Sequence, residues 1–183
     1  MNPKTQVSIA SVYEPHYGMQ ILLLLAFLIP AIFFLLTEHL TLKRIRPENR
    51  KMSPGLVWLQ LIPLLGQIWQ FFVVVKIAGS IKKETISWYI EPLFGVDAVT
   101  VEQGNRRPTR AMGLTYCTLT VVVPVLSLIT DLRIIWSPAD RAFATLETAV
   151  GFLALACMAS WIIYWVQLVI WGGKLKRGKP ALA

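Results

Sequence analysis

The amino-acid sequence predicts an all-α integral membrane protein with three full transmembrane helices and one interrupted hydrophobic element. Hydrophobic residues make up 55% of the 183 residues and charged residues only 15%, whereas soluble domains carry about 25% charged residues. The chain also contains several apolar runs of roughly the 18 to 20 residues that a helix needs to cross a bilayer. The basic residues flank these runs, as expected of residues that orient membrane helices.

The first span is predicted over residues 19–37, where the run "MQILLLLAFLIPAIFFLL" contains Pro30. A proline is tolerated in a membrane helix when neighbouring helices satisfy the carbonyl group that it frees. The chain then enters "TEHLTLKRIRPENRK", in which five basic residues fall between positions 43 and 51. This cluster is the strongest cytoplasmic marker in the sequence, because loops on that side are enriched in Lys and Arg.

The second apolar element, residues 54–77, contains "PGLVWLQLIPLLGQIWQFFVVVK", with Pro63 and Gly66 near its midpoint. It has two interpretations. It is either a re-entrant hairpin that turns back at "IPLLG", or a Pro-kinked span that makes the protein a four-span bundle. A helix over residues 55–75 would be about 31 Å long, enough to cross, and each half would reach about 15 Å. Length therefore does not decide between the two interpretations.

Residues 84–111 are too polar to span and are predicted to form a cytoplasmic or interfacial segment. Within it, "ISWYIEPLF" has the aromatic content of an interfacial piece, and "VDAVTVEQGN" alternates weakly like a short strand. The next span is predicted over residues 112–134, with Pro124 inside it. The last span is predicted over residues 144–172 and is followed by a basic cluster.

The distribution of Lys and Arg favours the re-entrant interpretation. If residues 54–77 turn back, 15 of the 18 basic residues lie on the cytoplasmic side. If they cross, the best orientation places 11 inside and 7 outside, with the densest cluster on the wrong side. The bias of Lys and Arg among short loops is the main determinant of orientation. We therefore expect the N-terminus outside and the C-terminus in the cytoplasm.

The pattern Pro-Gly, Trp, Ile-Pro, Trp in this element resembles a signature of uncharacterised bacterial multi-spanning membrane proteins of the domain-of-unknown-function type. The matching positions are Pro54, Gly55, Trp58, Ile62, Pro63, Trp69 and Lys76. The resemblance covers about 25 to 30 of the 183 residues. It implies a bacterial membrane protein and implies no activity. We expect such a protein in the inner membrane.

The interrupted element supplies the first candidate site, a polar turn near the bilayer midplane. Broken helices that meet at the midplane form the ion and substrate sites of many transporters. A turn at that depth also needs hydrogen-bond partners for its backbone, which glutamine side chains provide. The candidate residues are Gln60, Pro63, Gly66, Gln67 and Gln70.

The short connection between the last two spans supplies a second candidate, an outer ion-pair cluster of Asp131, Arg133, Arg141 and Glu147. If the two spans form a hairpin, Arg133 pairs with Glu147 across it. The pair is either a structural clamp or a contact for an ion or ligand, because charges at the edge of a span are often structural.

Cys117 and Cys157 lie at similar depth in the same hairpin. They are expected either to pack as small residues or to act as a redox or lipid-modification site.

Other chemistry has little support. His16 and His39 flank the first span, about 34 Å apart on a helix, so they are not expected to bind one haem or metal ion. Glu38 beside His39 is either a headgroup-level polar pair or a proton relay. The sequence contains no catalytic serine, zinc-protease or nucleotide-binding motif. We therefore expect no enzyme, no cofactor, no metal and no nucleic-acid partner.

These observations predict a non-enzymatic membrane protein that acts as a structural or accessory subunit through helix packing. The expected partners are anionic lipid headgroups at the basic rim, and other membrane proteins or a second copy of the chain. The alternative is a small transporter or channel component with its site at the broken helix, residues 60–70. An envelope sensor or lipid-binding protein is a third class that the sequence does not separate from the first.

Overall fold

The computed structural model of this protein describes residues 17–90, 109–136 and 141–177. It contains four α-helices over these ranges: α1 (Tyr17–Arg44), α2 (Leu65–Ile90), α3 (Arg110–Trp136) and α4 (Arg141–Arg177). Two 3₁₀ helices, Pro47–Asn49 and Pro54–Leu61, lie between α1 and α2. No strand occurs in the ranges that the structure describes, so the all-α prediction is confirmed for them.

Three of these helices are long and apolar enough to cross a membrane, namely Gly18–Arg44, Arg110–Leu132 and Thr145–Arg177. They correspond to the three predicted spans, and the prediction of three apolar helices of spanning length is confirmed. α2 includes most of the predicted hairpin and continues to Ile90. Residues 84–90 therefore extend α2, whereas 91–108, which include the predicted short strand, lie outside the described residues.

The chain divides into two compact units between Phe34 and Leu35, inside α1. The first unit contains the described part of α1 up to Phe34, and its large apolar side chains are mostly exposed; Phe27, for example, is 69% exposed. The second unit contains the remainder of the chain. Apolar side chains exposed along a whole helix are typical of a surface that faces lipid.

α1 ends at Arg44 because Arg46 precedes Pro47, and a residue before proline is disfavoured in the helical conformation. Arg46 is extended, with φ −58° and ψ 143°. The side chain of Arg50 then folds back and caps the helix, since its Nε donates to Ile45 O at 2.7 Å and its Nη2 to Lys43 O at 2.9 Å. The basic cluster therefore both terminates and caps α1.

The backbone reverses between the second 3₁₀ helix and α2. Leu64 has φ 64°, and Leu65 N–H donates to Pro63 O at 2.7 Å, which makes a γ-turn of the rare positive-φ type. Gly66 is buried, and a Cβ there would collide with the carbonyl oxygen of Gln60. Residues 54–77 are thus two packed helical segments rather than one continuous helix.

The middle of α2 contributes much of the core of the second unit. Val73, Val74, Ile77 and Ile81 are fully or almost fully buried, at the spacing of one helix face. Gly113 in α3 lets the helices approach here, because a Cβ at this position would clash with Val74 Cγ1 and lie 2.9 Å from Tyr164 Cε2 of α4. α3 and α4 pack along their lengths.

Candidate functional site

The side chain of Glu38 in α1 is fully buried and joins three segments of the chain. Gln60 Nε2, in the second 3₁₀ helix, donates a 2.6 Å hydrogen bond to Glu38 Oε2. The hydroxyl of Tyr164 in α4 donates a longer hydrogen bond, 3.4 Å, to Oε1. Burying a carboxyl group without partners is costly, so these two donors stabilise its position and at the same time link α1, the 3₁₀ helix and α4.

Glu38 lies on the buried face of α1 together with Leu35 and Leu42, and Ile45, just after the end of the helix, is also buried. These residues lie three before, four after and seven after Glu38, which is the spacing of a single helix face. That spacing was the signal in the sequence by which its burial could have been found. Glu38 is six residues before Arg44, or about 9 Å along the helix axis.

His39 lies in a different environment from Glu38. Its Nδ1 is 3.1 Å from Pro54 O, and its ring centroid is 6.3 Å from that of Trp58. Consecutive residues of a helix point about 100° apart, so the two side chains contact different parts of the 45–64 segment. The structure therefore connects both residues of the predicted Glu38–His39 pair to this segment, but through separate contacts.

Aromatic side chains of α3 and α4 lie near Glu38. The ring of Tyr164 is stacked on that of Tyr116 in α3, with centroids 6.2 Å apart and planes inclined at 17°. Trp165 Nε1, the next residue in α4, donates a 2.9 Å hydrogen bond to Thr37 Oγ1. α1 and α4 are thus joined by polar contacts at two consecutive positions on each helix.

The predicted polar turn is only partly assembled as expected. Gln60 points to Glu38 and not to the turn, although its own carbonyl is packed against Gly66. Pro63 is exposed at the tip, next to Leu64, which is 85% exposed. Some of the backbone hydrogen bonds of the turn form within the turn, since Gly66 N–H donates to Ile62 O at 2.7 Å.

The two remaining glutamines of the predicted site lie on α2, one turn apart. Gln70 is 5% exposed and its Nε2 donates to Gln67 Oε1 at 3.3 Å. Gln67 itself is exposed. The structure therefore brings these two together as a pair on α2, whereas Gln60 belongs to the Glu38 cluster.

A second buried carboxylate, Glu84 of α2, holds the segment that follows α1. Asn49 Nδ2 donates to Glu84 Oε2 at 2.7 Å, and the backbone N–H of Arg46 donates to the same oxygen at 3.2 Å. Arg46 Nε lies 3.5 Å from Oε1 in a salt bridge. The sequence placed Glu84 at the start of a polar segment and gave no sign that this carboxylate would be enclosed.

The outer cluster of Asp131, Arg133, Arg141 and Glu147 remains a prediction. Asp131 and Glu147 are both exposed. The side chains of Arg133 and Arg141 lie outside the described part of the structure, and so does the connection at 137–140. The pairing of Arg133 with Glu147 is therefore untested.

Cys117 and Cys157 are free thiols on the packed helices α3 and α4. Cys117 is buried, and Cys157 Sγ lies 3.6 Å from Thr120 Oγ1. Thr120 is three residues from Cys117, so the two cysteines occupy nearly the same level of the hairpin. Within residues 17–90, 109–136 and 141–177, no group of three or more His, Cys, Asp and Glu residues is arranged to hold a metal ion.

The basic ends of the three candidate spans lie at the same end of the second unit. Glu38 and Arg44 of α1 meet Tyr164 and Gly172 of α4, respectively, so these helix ends run parallel. Gly113, near the start of α3, also lies beside Tyr164, so α3 begins at this end. The basic residues that these helix ends carry are Lys43, Arg44, Arg110, Lys174, Lys176 and Arg177.

Chemically, the Glu38 cluster is a carboxyl group with two neutral donors, one amide and one phenol. Such a set can clamp helices together, or can exchange a proton or small cation when the helices move. Comparison with known proteins adds no assignment, since no family model, curated protein or solved structure matches the chain.

Proposed function

We propose that this chain is a non-enzymatic integral membrane protein that acts as a structural or accessory subunit. In this proposal the hairpin of residues 54–77 is held as a rigid element, and the protein packs with other membrane proteins or with a second copy of itself. The observation that carries the proposal is that both buried carboxylates bind other segments of the same chain. Glu38 binds the 3₁₀ helix before the turn and Glu84 binds the segment after α1, so both serve as clamps within the chain.

The proposed membrane placement has three spans, with the hairpin entering from the cytoplasmic side and returning to it. The tip is exposed and mostly apolar, as a membrane-inserted turn requires; its exposed large apolar residues are Leu61, Ile62, Leu64, Leu65 and Ile68. The common location of the basic helix ends supports an orientation with the C-terminus in the cytoplasm and the N-terminus outside. The resemblance of residues 54–76 to bacterial membrane proteins supports placement in an inner membrane.

The test is native mass spectrometry of the protein released from its membrane in a mild detergent. We expect a stoichiometric complex, either a dimer or an assembly with another membrane protein. Glu38→Leu removes the acceptor that holds the hairpin, and it should dissociate the complex. Glu48→Leu changes an exposed carboxylate near the same end of α1, and it should leave the complex intact. A wild-type protein that is monomeric and without partners would contradict the proposal.

A transporter or channel component is the second candidate function, and Glu38 is the observation that favours it. A buried carboxyl group in a candidate span, beside a broken helical element, is the arrangement that ion-coupled transporters use. Proteoliposomes loaded with a pH-sensitive or cation-sensitive dye would report flux. This candidate predicts flux that Glu38→Gln abolishes and that Pro63→Ala or Gln67→Leu reduces. Flux that is absent in the wild type, or unchanged in all three variants, would exclude it.

A further inference from the structure

Arg44, the last residue of α1, lies against α4 at Gly172, a position that has no side chain. A Cβ at Gly172 would be 2.6 Å from Arg44 Nη1 and 3.3 Å from Thr41 Oγ1, so the guanidinium group lies directly against the backbone of Gly172. Arg44 is half-buried, and within residues 17–90, 109–136 and 141–177 its side chain has neither a hydrogen bond nor an ion pair. Its donors are therefore available to a ligand.

Two further cations lie along the same end of α4. Lys176 is exposed and comes four residues after Gly172, which places it one turn further along the same helix face as the Arg44 contact. Lys174 Nζ lies 4.6 Å from the centroid of the Trp171 ring. Tryptophan and lysine together are typical of the headgroup level of a membrane.

We propose that Arg44 and Lys176 form a binding site for the phosphate of an anionic phospholipid headgroup, over the backbone of Gly172. Arginine binds phosphate through two parallel donors, and lysine adds a point charge. The apolar side chain of Leu40, one turn before Arg44 on α1, is exposed and would contact an acyl chain. This exposed side chain favours a lipid over a free phosphate ion. The site rests on the membrane placement proposed above.

The experiment measures lipid binding by native mass spectrometry on the purified full-length protein. The probes are phosphatidylglycerol, phosphatidylcholine and inorganic phosphate. We expect the wild type to bind phosphatidylglycerol more tightly than phosphatidylcholine. Arg44→Gln should weaken phosphatidylglycerol binding about tenfold, the loss expected for one charge-assisted hydrogen bond. Lys82→Gln, a charge change elsewhere on the protein, is the matched control and should have little effect.

Circular dichroism shows whether Arg44→Gln folds. If it does not, Arg44→Lys, which keeps the charge, replaces it in the test. We expect Arg44→Lys to lose less phosphatidylglycerol binding than Arg44→Gln. Equal binding of the two lipids, or equal loss in Lys82→Gln and Arg44→Gln, would overturn the proposal. Competition by millimolar inorganic phosphate would overturn the lipid assignment. Membrane fractionation separates the two proposals. A wild type that is absent from the membrane contradicts the proposed function, whereas a membrane-bound wild type without lipid selectivity contradicts only this site.

Discussion

The side-chain amide of Gln60 donates a 2.6 Å hydrogen bond to the buried carboxylate of Glu38, and this contact connects the 3₁₀ helix before the turn to α1. The two residues are separated by 22 positions in the sequence, so the contact closes a loop that contains the whole basic cluster. Because the Tyr164 hydroxyl reaches the other carboxylate oxygen, the same group also holds α4. Glu38 is thus the residue at which three segments of the chain meet.

Replacing Glu38 by leucine should lower the stability of the protein. The change leaves the Tyr164 hydroxyl without its acceptor, and a buried group that is left unsatisfied costs about 1 to 3 kcal/mol. The Gln60 amide loses its 2.6 Å hydrogen bond and keeps only the 3.3 Å contact with Val57 O. Unfolding in mixed detergent micelles, followed by circular dichroism, measures the loss. Glu48→Leu is the control, because Glu48 is exposed. Equal stability of the two variants would show that the Glu38 contacts do not hold the fold.

The turn at Leu64 offers a test of the backbone reversal itself. An L-residue with φ 64° is strained by about 1 kcal/mol or more, because of a contact made by its Cβ atom. Glycine has no Cβ and is free of this strain. We therefore expect Leu64→Gly to be more stable than Leu64→Ala, although glycine destabilises ordinary helical positions. Both variants lose the same exposed leucine, so their difference in unfolding free energy isolates the backbone. An alanine variant more stable than the glycine variant would indicate that the chain is helical at this point.

The break of the helix at this turn could be predicted from the sequence, but the exact residue at which the backbone reverses could not. Pro63 and Gly66 indicated the break, and the structure indeed interrupts the helix between Leu61 and Leu65. The positive φ, however, falls on Leu64, a residue type with no preference for that conformation. A rule that assigns positive φ to glycine would have placed it at Gly66, where instead the lack of a Cβ allows close packing against Gln60.

The candidate site was harder to predict from the sequence than the spans. Apolar runs of spanning length are a local property of the sequence, and α1, α3 and α4 follow them. The partners of a polar side chain depend instead on which helices become neighbours. Gln60 is near the turn in sequence, whereas the carboxylate that it binds comes from a different helix. Glu84 begins a polar segment in the sequence, whereas its partners come from the segment after α1.

Gly113 should be intolerant of even one additional carbon atom. In Gly113→Ala the new methyl group meets Val74 Cγ1 and the ring of Tyr164, and overpacking of this kind costs about 1 to 3 kcal/mol. Gly151→Ala in α4 is the matched control, because the space around Gly151 is open; there alanine should be neutral or stabilise the helix by up to about 1 kcal/mol. Thermal unfolding compares the two.

A compensating change tests whether the contact is the cause. Val74→Ala removes the methyl groups nearest to Gly113, so Gly113→Ala should be less destabilising in a Val74→Ala background than in the wild type. Additive effects of the two changes would mean that the close approach of α2 and α3 at Gly113 is not what limits the size of this residue.

The central claim is that residues 54–77 turn back, so that both flanks of the hairpin lie on the same side of the membrane as the C-terminus. Thiol labelling in intact cells with a membrane-impermeant reagent tests it directly, in a Cys117→Ala, Cys157→Ala background. Single cysteines replace Glu48 before the hairpin, Lys82 after it, Lys174 near the end of α4, and Asp131 near the opposite end of α3. We predict that only the Asp131 variant is labelled in intact cells, and that the other three are labelled only after the membrane is opened. Labelling of positions 48 and 82 from opposite sides would contradict the account.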